Sequence, residues 1–81
     1  MKVSIGNILK NMRSINTKLS QKEMGDLLTV ADTTISSYER ENSQPDFQTI
    51  IDIAEICDFE VKFINKRINK EISLEELSKE L

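Results

Sequence analysis

Residues Leu19 to Glu39, LSQKEMGDLLTVADTTISSYE, constrain this chain more than any other stretch. They read as two short amphipathic helices joined by a tight turn. Met24 and Leu28 stand four apart on one face of the first helix, and Gly25 lies on its inner side with no side chain to hold a neighbour away. Val30, Ile35 and Tyr38 supply apolar positions after the turn, and Leu28, Val30 and Ile35 are expected in the core. The outward face of the second helix is short and polar: Asp32, Thr33, Ser36 and Ser37. A helix that buries one edge and offers small hydrogen-bonding groups on the other is suited to a polar, shaped surface. The major groove of double-stranded DNA is such a surface.

Composition narrows the alternatives. A chain of 81 residues makes one small domain whose core is marginally stable alone. Aromatic residues make up 5%, Trp is absent, and there are only 2 Gly and 1 Pro, so the expectation is helical rather than sheet. There is no His and Cys57 is the sole cysteine, which excludes zinc fingers, Cys/His nucleophile pairs and disulfide frameworks together. Two isolated glycines make no phosphate-cradling loop. An enzyme is therefore not expected, nor is a cofactor or metal. No apolar run approaches the ~20 residues that span a bilayer, and no signal peptide is visible. The expected location is the cytoplasm, with no membrane partner.

The net charge of −3 and pI near 4.9 weigh against nucleic acid, but the distribution is uneven. From Met1 to Lys22 the ionised side chains are Lys2, Lys10, Arg13, Lys18 and Lys22. From Glu71 to Leu81 they are Glu71, Glu75, Glu76 and Glu80 against Lys79. A basic front is compatible with phosphate contact, and equally with ordinary solvated helix surfaces.

Ser4 reads as an N-cap, followed by Ile5, Ile8, Leu9, Met12 and Ile15 at helical spacing to about Ser14. Asn16, Thr17 and Lys18 form a polar connection. Ser20 with Glu23 makes a capping box for a second helix ending near Leu28. The next helix spans about Asp32 to Glu39, and Arg40 to Gln44 forms a polar loop closed by Pro45. Asp46 caps a fourth helix with Phe47, Ile50, Ile51, Ala54 and Cys57 on one face. Glu60 to Lys66 alternates like a short strand. Ile64 and Ile68, four apart, leave a fifth helix open, and the strand is the better reading. Ser73 and Glu76 form a second capping box, with Leu74, Leu77 and Leu81 on an apolar edge too narrow to stand alone. The division expected is 1–60 for the main domain and 61–81 for an extension that docks on the domain, a second copy or a partner.

The segment from Ile5 to Val61 resembles a Cro/repressor-type, XRE-like helix-turn-helix domain. The residues that carry the resemblance are Ile8, Leu9, Arg13, LSQKEMGDLL, Val30, Thr34-Ile35-Ser36, Tyr38-Glu39, Pro45-Asp46 and Ile50 to Ile56. It implies a compact, mainly helical bundle; together with the patterning above, the expectation is four to five helices, a short C-terminal strand and a terminal helix. It also implies a transcriptional regulator, a repressor, bound as a homodimer to a double-stranded DNA operator. An antitoxin or protein-interaction module on the same fold is the alternative, with a protein partner held through residues 61–81.

The resemblance places Asp32, Thr33, Ser36 and Ser37 at base-reading positions. It places Gln21, Lys22, Thr34, Arg40 and Asn42 at phosphates, with Lys10 and Lys18 as further candidates. Arg13 and Glu39 match a structural ion pair between the first and third helices. Asp32 also serves a helix dipole in the first turn, worth ~0.3–1 kcal/mol. The lack of Arg, Gln or Asn on this face implies modest base discrimination and more reliance on phosphates and DNA shape. Three departures stand out. Thr29 replaces the usual turn glycine, Ala31 replaces the usual Ser or Thr cap, and Glu41 replaces a common loop glycine.

Overall fold

The computed structural model describes residues 1–80. Helix α1 spans Ile5–Met12, and Ser4 caps it by accepting from the Asn7 N–H at 3.2 Å. The chain then widens into a π-helical turn, Arg13–Thr17, where a polar linker was expected from Asn16 on. Its side chains explain the change. Ser14 Oγ donates to the Lys10 carbonyl and Thr17 Oγ1 to the Arg13 carbonyl, which competes with regular α-helical bonding. Asn16 Nδ2 reaches the carbonyls of Cys57 and Asp58, so the turn is fastened to the far end of the domain.

Helix α2 spans Gln21–Leu28, with the expected capping box: Ser20 Oγ accepts from Glu23 N–H, and the Glu23 carboxylate accepts from Ser20 N–H. Helix α3 spans Asp32–Glu39 and α4 spans Phe47–Ile56, the latter capped by Asp46 on the Thr49 N–H. The buried core gathers Leu9 of α1, Met24 of α2, Ile35 of α3, and Ile53, Ala54 and Cys57 of α4 with its C-cap. Met12, Leu19, Leu28, Tyr38 and Phe59 pack around it.

Two core expectations fail. Val30 is 36% exposed because it lies in the turn, outside either helix. On α4 the expected Ala54 and Cys57 are buried and Ile50 and Ile51 half-buried, but Phe47 is exposed and Ile53 takes the core position instead. Positions 50, 53, 54 and 57 follow the helical repeat better than the set beginning at Phe47.

The strand expected at 60–66 is β1, Lys62–Asn65, which rules out the fifth-helix reading there. It pairs antiparallel with β2, Lys70–Ser73, which was not expected. Phe63 faces Ile72 and Asn65 faces Lys70 across the ladder. Ser73 caps the short helix α5, Leu74–Leu77, through the Glu76 N–H. Leu74 is half-buried and Leu77 exposed, while Leu81 lies outside the described residues. No helix among the described residues is long and apolar enough to cross a membrane.

Candidate nucleic-acid interface

The α2–turn–α3 unit owes its shape to backbone contacts. A Cβ on Gly25 would lie 2.7 Å from the Val30 carbonyl oxygen and 3.2 Å from the Asp32 nitrogen. Only glycine lets the start of α3 approach α2 so closely. The turn itself is left-handed at Thr29, φ 62° and ψ 41°. Thr29 N–H donates to the Asp26 carbonyl and Val30 N–H to the Gly25 carbonyl at 2.8 Å, the paired bonds of a Schellman ending. A β-branched residue in this conformation carries strain of about 1–2 kcal/mol. Thr29→Gly is therefore expected to raise stability by about 0.5–1 kcal/mol once the entropy of glycine is subtracted. An unchanged or lower denaturant midpoint would contradict this. Ala31 makes no side-chain cap, as its methyl dictates.

Ile35 anchors α3 in the core, and the opposite arc carries Asp32, Thr33, Ser36 and Ser37. Asp32 and Thr33 are exposed, whereas Thr34, Ser36 and Ser37 are half-buried. The Ser37 hydroxyl lies 2.8 Å from the Ser43 hydroxyl, and the Ser37 carbonyl accepts from Asn42 N–H at 2.9 Å. Ser37 is thus held against the loop that follows α3, a tie the sequence alone does not announce.

Beneath the arc lies a charged network. Arg13 Nε donates to Glu39 Oε2 at 2.7 Å and its Nη2 to Glu39 Oε1 at 2.9 Å, while Nη1 donates to the Leu19 carbonyl. Gln21 Nε2 also donates to Glu39 Oε1, at 3.1 Å. The side chains of Arg13 and Glu39 are 14% and 5% exposed. Burial pushes the Glu39 carboxyl up, but the bonds from Arg13 and Gln21 outweigh it and hold it below the usual carboxylate range. The bond to Glu39 likewise raises Arg13, against its own desolvation. One network therefore fixes α1, the start of α2 and the end of α3 relative to one another.

The remaining cationic and polar candidates lie around this unit. Lys22 is exposed and bridged to Asp26 at 3.3 Å, and Arg40 and Asn42 are exposed in the loop after α3. Among the described residues Arg40 has no carboxylate within ion-pair distance. Glu41 has a role that a reading of charge misses. At φ 61° it turns its carboxylate back onto α1, accepting from Ser4 Oγ at 2.6 Å and from Gly6 N–H at 3.0 Å. Those bonds hold its carboxyl below the usual range. Gly6 is buried, and the position requires glycine because a Cβ there would run into the Glu39 carbonyl oxygen and the Glu41 side chain. The negative charge is thus spent on the first turn of α1, where orphan N–H groups and the helix dipole receive it. The Ser4–Glu41 separation of 37 residues leaves no local signal of this pairing.

Among the described residues, five α-helices with α2 and α3 crossing at a tight turn, an ion-pair brace from the end of α1 to α3, and an outward polar stripe on α3 define a helix-turn-helix protein. The helix-turn-helix family model matches residues 9–64, and the chain belongs to this Cro/repressor-type, XRE family. It is a DNA-binding helix-turn-helix regulator, and the family is regulatory rather than enzymatic. No curated protein and no solved structure matches the chain.

Proposed function

We propose that this protein is a sequence-specific transcriptional repressor that binds a two-fold operator as a homodimer, with α3 in the major groove. The observation that carries the reading is the polar arc of α3 held in a fixed attitude by Gly25, Ile35 and the Arg13–Glu39 pair. Thr33 is the most accessible neutral base-reading group, able to offer its hydroxyl to a base edge or its methyl to thymine. Ser36 and Ser37 lie lower on the arc and reach bases by close approach or through water. Asp32 stands at the helix start, where a carboxylate can accept from a cytosine amino group.

Gln21, Lys22, Thr34, Arg40 and Asn42 hold phosphates in this reading. Gln21 has one amide hydrogen engaged by Glu39 and a second to offer. The Lys22–Asp26 pair is solvent-exposed and worth about 0–1 kcal/mol, so it yields readily to a phosphate. Residues 1–60 form the DNA-binding unit and 61–81 the dimer surface, supported by the exposed Ile64 and Leu77. The same exposed residues on a chain of net charge −3 favour a second reading, an antitoxin or interaction module gripping another protein.

Selection from a random duplex library at low and moderate salt separates the two. The expected result is a two-fold motif for the native chain, weakened or relaxed in a Thr33→Ala/Ser37→Ala variant. Each lost contact is expected to cost less discrimination than the ~1–3 kcal/mol of a bidentate side-chain–base pair, because a single hydroxyl makes at most one such bond. No enrichment at either salt concentration would sink the repressor reading and leave the protein-partner one.

A further inference from the structure

The segment Val61 to Lys70, VKFINKRINK, contains Lys62, Lys66, Arg67 and Lys70 and no acidic residue, although the chain as a whole is acidic. Lys62 is engaged by Glu60 and Glu71. Lys66, Arg67 and Lys70 are exposed and, among the described residues, have no carboxylate within ion-pair distance. These three cations sit at the tip of the hairpin, around a turn closed by the Asn65–Lys70 pair. The turn is built, not loose: Asn65 Oδ1 accepts from Arg67 N–H at 3.0 Å, and Asn69 takes a left-handed conformation at φ 51°.

The path of the chain shows at which end of α4 the hairpin begins. Helix α4 starts at Phe47, directly after the loop that carries Arg40 and Asn42, and ends at its C-cap Cys57. Ten residues of α4 extend for about 15 Å. By Phe63 the chain is back at the start of α4, because the Phe63 and Phe47 rings are 6.3 Å apart. Residues 58–63 therefore run back along α4, and β1 continues past its N-terminus. The hairpin therefore starts beside the N-terminal end of α4, the end that the Arg40–Asn42 loop leads into.

We infer that the hairpin tip is a second DNA-contacting element, with Lys66, Arg67 and Lys70 gripping backbone phosphates beside the site read by α3. This deepens the repressor reading and rests on it. The tip carries flexible cations and no short polar stripe, so it adds affinity without adding base choice. It also supplies charge that the recognition helix lacks, since α3 itself carries Asp32 and Glu39 and no cation.

The test compares the full native chain with a Lys66→Gln/Arg67→Gln/Lys70→Gln variant on the operator duplex recovered by selection. Affinity is measured across a salt series, and hydroxyl-radical cleavage maps the backbone covered. Each lost phosphate contact lowers the slope of log affinity against log salt by ~0.9. The expected variant has a slope smaller by roughly 2 or more per copy and binds at least about tenfold more weakly near 0.1 M salt. It selects the same motif and loses backbone protection outside that motif. All three positions are exposed, and an unchanged thermal midpoint verifies the fold. A native-like slope and footprint in the variant would overturn the inference while leaving the repressor reading intact. Failure of the native chain to bind any duplex would overturn both.

Discussion

Arg13→Ala is expected to cost about 3–5 kcal/mol, because it leaves the Glu39 carboxylate at 5% exposure with Gln21 as its one remaining side-chain hydrogen bond and only the more distant charge of Lys10. Small domains hold about 5–15 kcal/mol in total, so the variant should stand close to unfolding at room temperature. Chemical denaturation with a native-like slope measures the loss. Replacing both partners by apolar residues, Arg13→Met with Glu39→Leu, should recover much of it, since no buried charge is then left alone. If the single and double variants are equally unstable, the loss comes from packing and not from the orphaned carboxylate. The pair also sets a pH dependence. The folded-state pKa of Glu39 lies below its unfolded value, so its contribution is complete above the unfolded carboxylate range, near 4.3, and is lost as pH falls through the folded pKa. A Glu39→Gln variant should be less stable near neutral pH and show a flatter decline on acidification.

The second large effect belongs to Met24, which is 1% exposed and meets Leu9, Ile35, Ile53 and Cys57 in the core. Met24→Ala removes the apolar contact that joins α2 to three other helices and leaves a cavity, at a cost of about 2–5 kcal/mol. For a domain of this size that corresponds to a fall in thermal midpoint of roughly 4–8 °C per kcal/mol. Met24→Leu keeps the volume and should cost less than about 1.5 kcal/mol. Calorimetry on the two variants checks this, and an alanine variant that melts within a degree or two of native would contradict the packing account. Operator affinity should follow stability only at temperatures where the alanine variant is partly unfolded, because Met24 faces the core and not the polar arc.

Much of this architecture was legible because local signals agreed with one another. Ser4, Ser20, Asp46 and Ser73 each read as caps, and each accepts an N–H three residues on. The helical spacing of Leu9, Met24 and Ile35 led to their place in the core. Strand β2 was hidden for a physical reason. In KEIS only Ile72 is apolar, and Ser73 belongs both to the strand and to the cap of α5. The π turn leaves no trace in the spacing of residues, because its cause is side-chain bonding to carbonyls within an otherwise helical pattern. Val30 looked like core because apolar character does not reveal whether a residue lies in a turn or on a helix. At the interface, the arc of α3 follows from sequence spacing, whereas the Glu41 link to Ser4 and Gly6 and the Ser37–Ser43 contact depend on tertiary proximity.

The two-stranded hairpin has a further consequence for behaviour in a crowded solution. Each strand is paired on one side only, so each leaves an edge of backbone donors and acceptors that another extended chain could match. Lysines along such an edge discourage that match, because two copies brought edge to edge must press like charges together. Lys70, at the start of β2 with no carboxylate in ion-pair distance among the described residues, and Lys66 and Arg67 in the turn beside it therefore act as guards against the stacking of hairpins, whatever else they contact. Neutralising them relieves that repulsion, which makes the hairpin the place where this small acidic protein is most exposed to ordered self-association.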